Sequence, residues 1–203
     1  MKKMIALMMA VLMMLTLVAC GSADSGGSNA DAAYSIGVCQ LVQHEALDAA
    51  TQGFVDTVNA ALGEENINWN IQNAAGDSNT CNTIVNGFVS SNVDLIMANA
   101  TPALQAASVA TGSIPVLGTS VTEYGVAMGI ENFSGTVGGN ISGTSDLAPL
   151  DKQAAMIKEW CPDAQSVGLL YCSAEANSQY QVDTVQAYLE EMGMTVTQYP
   201  FAD

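Results

Sequence analysis

Positive charge is the scarcest property of this sequence. Its 203 residues include four lysines, one histidine and no arginine, against 20 aspartates and glutamates, so the formal net charge is -16. Nucleic-acid binding needs clustered Lys and Arg that neutralise phosphates, and this class of partner is therefore excluded. Disorder is also disfavoured, because 49% of the residues are hydrophobic and only 12% are charged.

Several motifs of nucleotide chemistry and catalysis are missing as well. No two glycines are separated by a single residue, which excludes a G-x-G-x-x-G dinucleotide fingerprint, and no Gly-Lys pair exists to form a P-loop. No G-x-S-x-G sequence marks a nucleophile elbow. The single histidine, His44, could act as a general base, but its place directly after a predicted strand favours lining a pocket or capping a helix. We therefore expect no enzyme and no cofactor.

The first 33 residues predict a targeting segment followed by a linker. Lys2 and Lys3 precede an apolar run over 4–19. As a helix this run reaches roughly 24 Å, short of the ~30 Å hydrocarbon core, so residues 1–19 are typical of a secretory signal peptide. The sequence at 17–21, Leu-Val-Ala-Cys-Gly, is similar to a bacterial lipobox, which implies lipidation of Cys20. Residues 20–33 are small and polar and predict a flexible tether. We expect an extracytoplasmic protein anchored to the cell membrane by that lipid alone.

The other four cysteines give no metal or redox motif. No C-x-x-C pair exists, and a single histidine leaves no ligand set for structural zinc, so we predict no metal site. Four cysteines, Cys39, Cys81, Cys161 and Cys172, allow three disulfide pairings, and the sequence does not choose among them. Cys39 and Cys172 lie in apolar runs, which favours buried free thiols at both positions.

Apolar runs and helical spacings alternate from residue 34 onward. We predict strands at 34–42, 67–74, 94–100 and 115–121, and helices at 47–62, at 78–89 and from 101 to about 112. Ser78 is the predicted N-cap of the second helix, and Thr101 that of the third, where Pro102 follows. The Gly-rich stretch 125–143 predicts a loop, with a last strand near 140–145. This alternation indicates an α/β fold with a parallel sheet covered on both faces.

A second α/β unit follows the loop. We predict helices at 154–160 and 175–192 and strands at 166–172 and 194–199. Two parallel strands bury too little surface to complete a lobe. The predicted organisation is therefore an N-terminal lobe over 34–145 and a C-terminal lobe over 146–203 that is truncated.

Polar residues gather where the predicted strands end. Ligands of open parallel sheets bind outside the carboxyl ends of the strands. With no arginine, an anionic ligand group must be held by helix N-termini and by hydroxyls such as those of Thr101 and Ser178. Glu175 or Glu123 could pair with a ligand ammonium. The sequence thus favours a small-molecule cleft at this edge.

An ordered set of segments resembles a known family. The segments are Ile36–Asp48, Gln72–Asp77, Asp94–Pro102, Gly138–Asp146 and Gly168–Ser178. Together they resemble bacterial ABC-transporter substrate-binding lipoproteins of the type I periplasmic-binding-protein-like superfamily, some of which bind tryptophan or tyrosine. Two positions depart from the family pattern: Glu45, where Pro is common, and 121–124, where an Asp-Pro pair is usual. The second departure lies in the expected pocket and leaves the ligand unnamed.

The resemblance implies a two-lobed fold that closes on a small molecule. The ligand would be an amino acid, aromatic in some members, and the protein would deliver it as a monomer to ABC permease subunits. Carried over by position, the ligand contacts are Gln43, His44, Thr101, Thr122, Ser145, Glu175, Asn177 and Ser178. An alternative with the same fold is a ligand-sensing ectodomain protein that signals through a partner.

Overall fold

A computed structural model describes residues 32–202 as two parallel sheets flanked by helices. The strands are β1 (Tyr34–Gln40), β2 (Ile67–Asn73), β3 (Leu95–Asn99), β4 (Val116–Val121), β5 (Ile141–Ser145), β6 (Ser166–Cys172) and β7 (Thr195–Phe201). The helices are α1 (Glu45–Leu62), α2 (Ser78–Ser90), α3 (Thr101–Ala110), α4 (Tyr124–Met128), α5 (Leu150–Trp160) and α6 (Ala176–Glu191), and a 3-10 turn covers Glu64–Asn66.

The N-terminal predictions fall outside this part of the chain. The signal peptide, the lipidation of Cys20 and the tether up to residue 31 lie outside the described residues. Within residues 32–202, no helix combines the length and the apolar character needed to cross a membrane.

The larger sheet has the strand order β2-β1-β3-β4-β5, and all of its pairs are parallel. Val38 of β1 pairs with Ile71 on one side and with Met97 on the other, which sets the register of the centre. The smaller sheet consists of β6 and β7, also parallel. The predicted α/β fold with parallel sheets and flanking helices is confirmed.

Alternate residues of β1 contact helices on opposite faces of the larger sheet. Gly37 lies under Phe88 of α2, whereas the Gln40 side chain bonds to Thr51 of α1. A Cβ on Gly37 would lie 2.6 Å from the Cδ2 atom of Phe88, so only glycine allows this approach. The main core lies on the α2 side, where α2 and α3 pack on each other and on the sheet. A second, smaller core surrounds Leu189.

Two predicted N-caps are wrong. Asp77, not Ser78, caps α2, because its Oδ1 accepts a hydrogen bond of 2.9 Å from the backbone N–H of Asn79. The residue before α3 is Ala100, and Thr101 is the first helical residue, so no side chain caps this helix. Pro102 occupies the first turn, as predicted.

The Gly-rich stretch contains a short helix that the sequence did not predict. The Glu123 carboxylate starts α4 by accepting hydrogen bonds from the backbone N–H groups of Gly125 at 3.0 Å and Val126 at 2.6 Å. Gly129 ends the helix in the left-handed conformation, with φ of 64°. Glu123 is therefore a helix cap in this structure, and the proposed ammonium contact would have to compete with that role.

The prediction for the cysteines is half right. All four are free, and Cys39 is fully buried as expected. Cys172 is only half-buried, since it stands at the carboxyl end of β6, where the smaller sheet meets solvent. Cys81, in the first turn of α2, is the second fully buried thiol.

The cap of α2 makes the stability of the protein depend on pH. Hydrogen bonds from Asn79 and Thr80 hold the pKa of Asp77 below its ordinary value of 3.8. The folded state therefore favours the charged carboxylate, and the stabilisation is present above this value and lost as pH falls through the lowered pKa. We expect the melting temperature of Asp77→Asn, measured by circular dichroism, to fall less than that of the wild type when the pH is lowered from about 5 to about 2.5. Asp56→Asn, on the exposed side of α1, is the control and should follow the wild type; an Asp77→Asn curve parallel to both would contradict the prediction.

Candidate functional site

A chain of buried polar groups fastens α1 to the carboxyl edge of the larger sheet. The Thr51 hydroxyl of α1 donates to Gln40 Oε1 at 2.7 Å and accepts from Asn99 Nδ2 at 2.9 Å. Asn99 Nδ2 also donates to the Leu47 carbonyl at 2.8 Å, and Gln40 Nε2 donates to Asp48. Since Gln40 ends β1 and Asn99 ends β3, this network fixes the position of both strand ends against the first turns of α1.

The junction between β3 and α3 carries unsatisfied polar atoms. Asn99 Oδ1 and Thr101 Oγ1 are buried and have no hydrogen-bond partner among the described residues. An unpaired buried polar atom costs about 1–3 kcal/mol. The N-terminus of α3 also lacks a side-chain cap, so its backbone N–H groups suit an anionic group.

Backbone strain coincides with this junction. Ala100 has φ of 96°, and Ser120, near the end of the neighbouring β4, has φ of 53°. The two strand ends are joined by the hydrogen bond from Ala100 N–H to the Thr119 carbonyl at 3.0 Å. Positive φ at a residue other than glycine costs of order 1–3 kcal/mol and is concentrated at functional sites. The strained and unsatisfied groups therefore mark the same corner of the sheet.

His44 occupies the N-cap of α1. Its Nδ1 accepts a hydrogen bond of 3.2 Å from the backbone N–H of Ala46, and its side chain is exposed. Of the three roles that the sequence left open for His44, the structure shows helix capping.

The predicted residues Thr122 and Ser145 contact each other. Ser145 Oγ donates to the Thr122 carbonyl at 2.7 Å and accepts from the Leu147 N–H at 3.1 Å. Beside them, the Tyr124 hydroxyl donates to the Thr144 carbonyl at 3.2 Å. Burial, together with the charge of Asp146, raises the pKa of Tyr124 to about 12, so this hydroxyl stays protonated at neutral pH. The side chains of Ser145 and Tyr124 thus hold the ends of β4 and β5 together.

The other three predicted residues share the turn from β6 into α6. Glu175 precedes α6 but makes no side-chain cap bond to it. Its Oε2 accepts a hydrogen bond of 3.4 Å from Asn177 Nδ2, and its carbonyl accepts one of 3.1 Å from the Ser178 N–H. Asn177 Oδ1 is buried without a partner among residues 32–202. The Glu175 carboxylate is therefore not committed to the backbone of its own helix.

Two cavities follow this edge and adjoin at Ala75. One, of about 710 Å³, is lined by Gln43 together with Gln40, Asp48 and Gln52. The other, of about 720 Å³, lies between the start of α2 and the β6–α6 turn, with Asp77 and Glu175 among its lining residues. The other six predicted residues line neither cavity, although Ser145 lines a third one of about 420 Å³ beside Tyr124. The predicted residues thus lie along one edge of the fold, but not all of them in one cavity.

The carboxyl edge offers different charges at two places. Both lysines of the described residues belong to α5, where Lys152 lies exposed 3.5 Å from Asp151. An anion at the β3–α3 junction must therefore be met by N–H groups and hydroxyls, whereas the cavity lined by Asp77 and Glu175 favours a cation. The arrangement suits a small ligand with one negative and one positive end.

Sequence reasoning missed the network of Gln40, Thr51 and Asn99. One signal was available: Asn99 interrupts an apolar strand at its last position, where an amide must be either bonded or functional. It also missed the double position of Asp77, which caps α2 and lines the second cavity.

The sequence is similar to proteins that capture small molecules. A profile of the family described as ABC transporter substrate binding protein matches residues 35–202. The Tyrosine-binding protein of Clostridioides difficile (strain R20291) is 35% identical over 208 aligned positions, which cover 97% of this chain and 60% of that protein.

Solved structures agree in fold. The ABC domain from Streptococcus pneumoniae in complex with L-Trp has a TM-score of 0.75 and 32% identity, covering 83% of this chain and 57% of that one. The ligand-free, open structure of a substrate binding protein with adhesive properties from Clostridium difficile has a TM-score of 0.62 and 37% identity, covering 84% and 58%. A leucine binding protein from Thermotoga maritima, 12% identical with a TM-score of 0.64 over 83% and 49%, shares the fold alone. The chain spans less than two thirds of each of these relatives.

Proposed function

The chain belongs to the family of ABC transporter substrate-binding proteins, and from this membership we propose that it captures an amino acid outside the cytoplasm and delivers it to an ABC permease. The observation that carries the ligand class is the separation of charge along the carboxyl edge. An uncapped helix N-terminus with an unpaired hydroxyl lies at α3, and two carboxylates line the cavity between α2 and α6. A free amino acid offers a carboxylate to the first and an ammonium to the second.

The carboxylate of the ligand would bind at the start of α3. The N–H groups of the first turn, the positive end of the helix and Thr101 Oγ1 all favour a negative group there. Such a ligand would supply the partner that the Thr101 hydroxyl lacks within the described residues. The unpaired hydroxyl is what supports Thr101 as a contact, since Thr101 lines neither of the two cavities.

The ammonium of the ligand would bind at Glu175. Its carboxylate lines the cavity and keeps an acceptor oxygen that does not bond to α6, while Asn177 steadies the other oxygen. Asn177 and Ser178 are hydrogen-bonded to Glu175 in the same turn. His44 and Ser145 would shape the rim, since their side chains bond to a helix start and to a strand end. Gln43 would contribute as a lining residue of the first cavity, and Thr122 through the carbonyl that Ser145 binds.

The identity of the side chain rests on relatives. A similar protein is named for tyrosine, and a similar structure was solved with L-Trp. An aromatic amino acid is therefore the proposed ligand. Bound between the two sheets, it would favour a closed arrangement that a permease recognises. The proposed lipid on Cys20 would keep the monomeric protein at the membrane surface.

The proposed ligand can be tested by calorimetric titration of the full-length protein with L-tyrosine and L-tryptophan. We expect one of the two to bind in a 1:1 complex. Tyramine lacks the carboxylate and N-acetyl-tyrosine lacks the ammonium, and each should bind at least about tenfold more weakly, since a charge-assisted hydrogen bond contributes about 1.5–3 kcal/mol. The proposal is contradicted if neither amino acid binds, or if tyramine and N-acetyl-tyrosine bind as tightly as L-tyrosine.

The variant for this experiment is Glu175→Gln, which removes charge but keeps size. It should weaken amino-acid binding by roughly 10–100-fold and leave the affinity for N-acetyl-tyrosine unchanged. Glu191→Gln, at the exposed far end of α6, is the matched control and should bind like the wild type. An unchanged affinity in Glu175→Gln would remove this residue from the site.

A further inference from the structure

Two thiols face each other inside the main core. Cys39 lies in β1 and Cys81 in the first turn of α2, and the exposed fraction of both residues is 0%. Both are free, and both belong to the same buried cluster. The interaction with the Cys81 thiol, together with burial, raises the pKa of the Cys39 thiol well above its ordinary value. The pair has no part in the amino-acid site described above.

The packing of α2 on β1 places these two residues at one contact point. Gly37 and Cys39 are two residues apart in a strand and so lie on the same face. Cys81 and Phe88 are seven residues apart in a helix and likewise share a face. Phe88 lies directly on Gly37, so these faces of β1 and α2 pack against each other. Cys39 and Cys81 both belong to the buried cluster that includes this interface.

We propose that Cys39 and Cys81 form a reversible disulfide bond. A low-molecular-weight disulfide oxidises the two thiols, and the new bond stabilises the contact between β1 and α2. One cysteine thiolate attacks the oxidant, oxidised glutathione for example, and releases one glutathione thiol. The second cysteine then attacks the mixed disulfide and releases the other. The protein loses two electrons and two protons, and the oxidant gains them as two thiols.

The new bond would close the chain from Cys39 to Cys81 into a loop. Closing a loop of this size restricts the unfolded chain and raises stability. It would also hold the start of α2, where Asp77 lines the second cavity, more firmly on the sheet. Since both thiols are fully buried, oxidation must wait for local opening of α2, and its rate should rise with mild denaturant.

The experiment exposes the full chain to oxidised glutathione, alkylates free thiols after acid quenching and unfolding, and maps the peptides by mass spectrometry. The matched background is Cys20→Ser/Cys161→Ser/Cys172→Ser, which keeps the buried pair alone; Cys81→Ala in that background is the control. We expect a peptide linked through Cys39 and Cys81, a melting temperature higher by about 5–10 °C, and reversal by reductant. The control should give neither change.

Three results would overturn the proposal. The first is that both cysteines remain alkylatable after prolonged exposure in mild denaturant. The second is that only glutathione adducts form, without the internal bond. The third is a melting temperature that falls when the bond forms. All three are read without ligand, so they are independent of the proposed amino-acid site.

Discussion

Replacement of Phe88 by alanine should lower the free energy of unfolding by about 3–5 kcal/mol, the largest stability change that we expect from a single substitution in this chain. Phe88 is fully buried and fills the space directly above Gly37. Its loss removes an aromatic ring from the centre of the main core and leaves a cavity, because glycine offers no side chain to fill it. Urea denaturation followed by circular dichroism measures the change.

Substitution of Gly37, which lies against Phe88, provides a control for this prediction. Gly37→Ala in the wild type should cost about 1–3 kcal/mol, since the new Cβ would collide with the ring. In the Phe88→Ala background the same methyl group enters an empty space, and its cost should vanish. Gly53→Ala, on α1 with nothing within 4 Å of the new atom, should instead stabilise both backgrounds by up to about 1 kcal/mol. If the losses of unfolding free energy of Gly37→Ala and Phe88→Ala simply add in the double variant, the two residues do not share this contact.

Thr101→Val should weaken amino-acid binding by about 10–100-fold while leaving the protein at least as stable as the wild type. Valine replaces the hydroxyl by a methyl group of similar size. The hydroxyl has no partner within residues 32–202, so its removal breaks no described hydrogen bond and relieves an unpaired buried group. Calorimetric titration with the amino acid that binds the wild type, combined with thermal denaturation, measures both quantities.

The control for this variant is Thr83→Val on the exposed surface of α2. Its hydroxyl bonds only to the Asn79 carbonyl one turn earlier, so binding should not change. A Thr101→Val protein that binds normally would take Thr101 out of the site, while the analogue titrations would still test the proposed ligand. A marked loss of stability would instead show that the hydroxyl supports the fold.

The regular helices and strands of this fold were predictable from two patterns of apolar residues in the sequence. Buried parallel strands such as β3 appear as short apolar runs, and α1 shows its apolar residues at helical spacing. The helix α4 was not predictable in this way. It has five residues and depends on the Glu123 side chain at one end and on Gly129 at the other, in a stretch whose glycines indicate a loop.

The site was predictable as an edge but not as a set of contacts. Parallel strands place all of their carboxyl ends together, so Gln43, Thr101, Thr122 and Ser145 had to lie at one edge of the larger sheet. The roles of Gln40, Thr51 and Asn99 depend on how α1 is rotated on the sheet, which periodicity does not specify. The unpaired hydroxyl of Thr101 follows directly on the strained backbone at Ala100, and sequence patterns carry no signal for that strain.

Both lysines of residues 32–202 lie in α5, and this has a consequence for where proteases cut the chain. Trypsin and related proteases cleave after lysine or arginine, and residues 32–202 offer them Lys152 and Lys158 only. Everything from β1 to β5 would therefore emerge from digestion as one intact piece, even from a chain that had lost its fold. In a medium containing such proteases, damage would begin at the helix that precedes the smaller sheet and would spare the larger one.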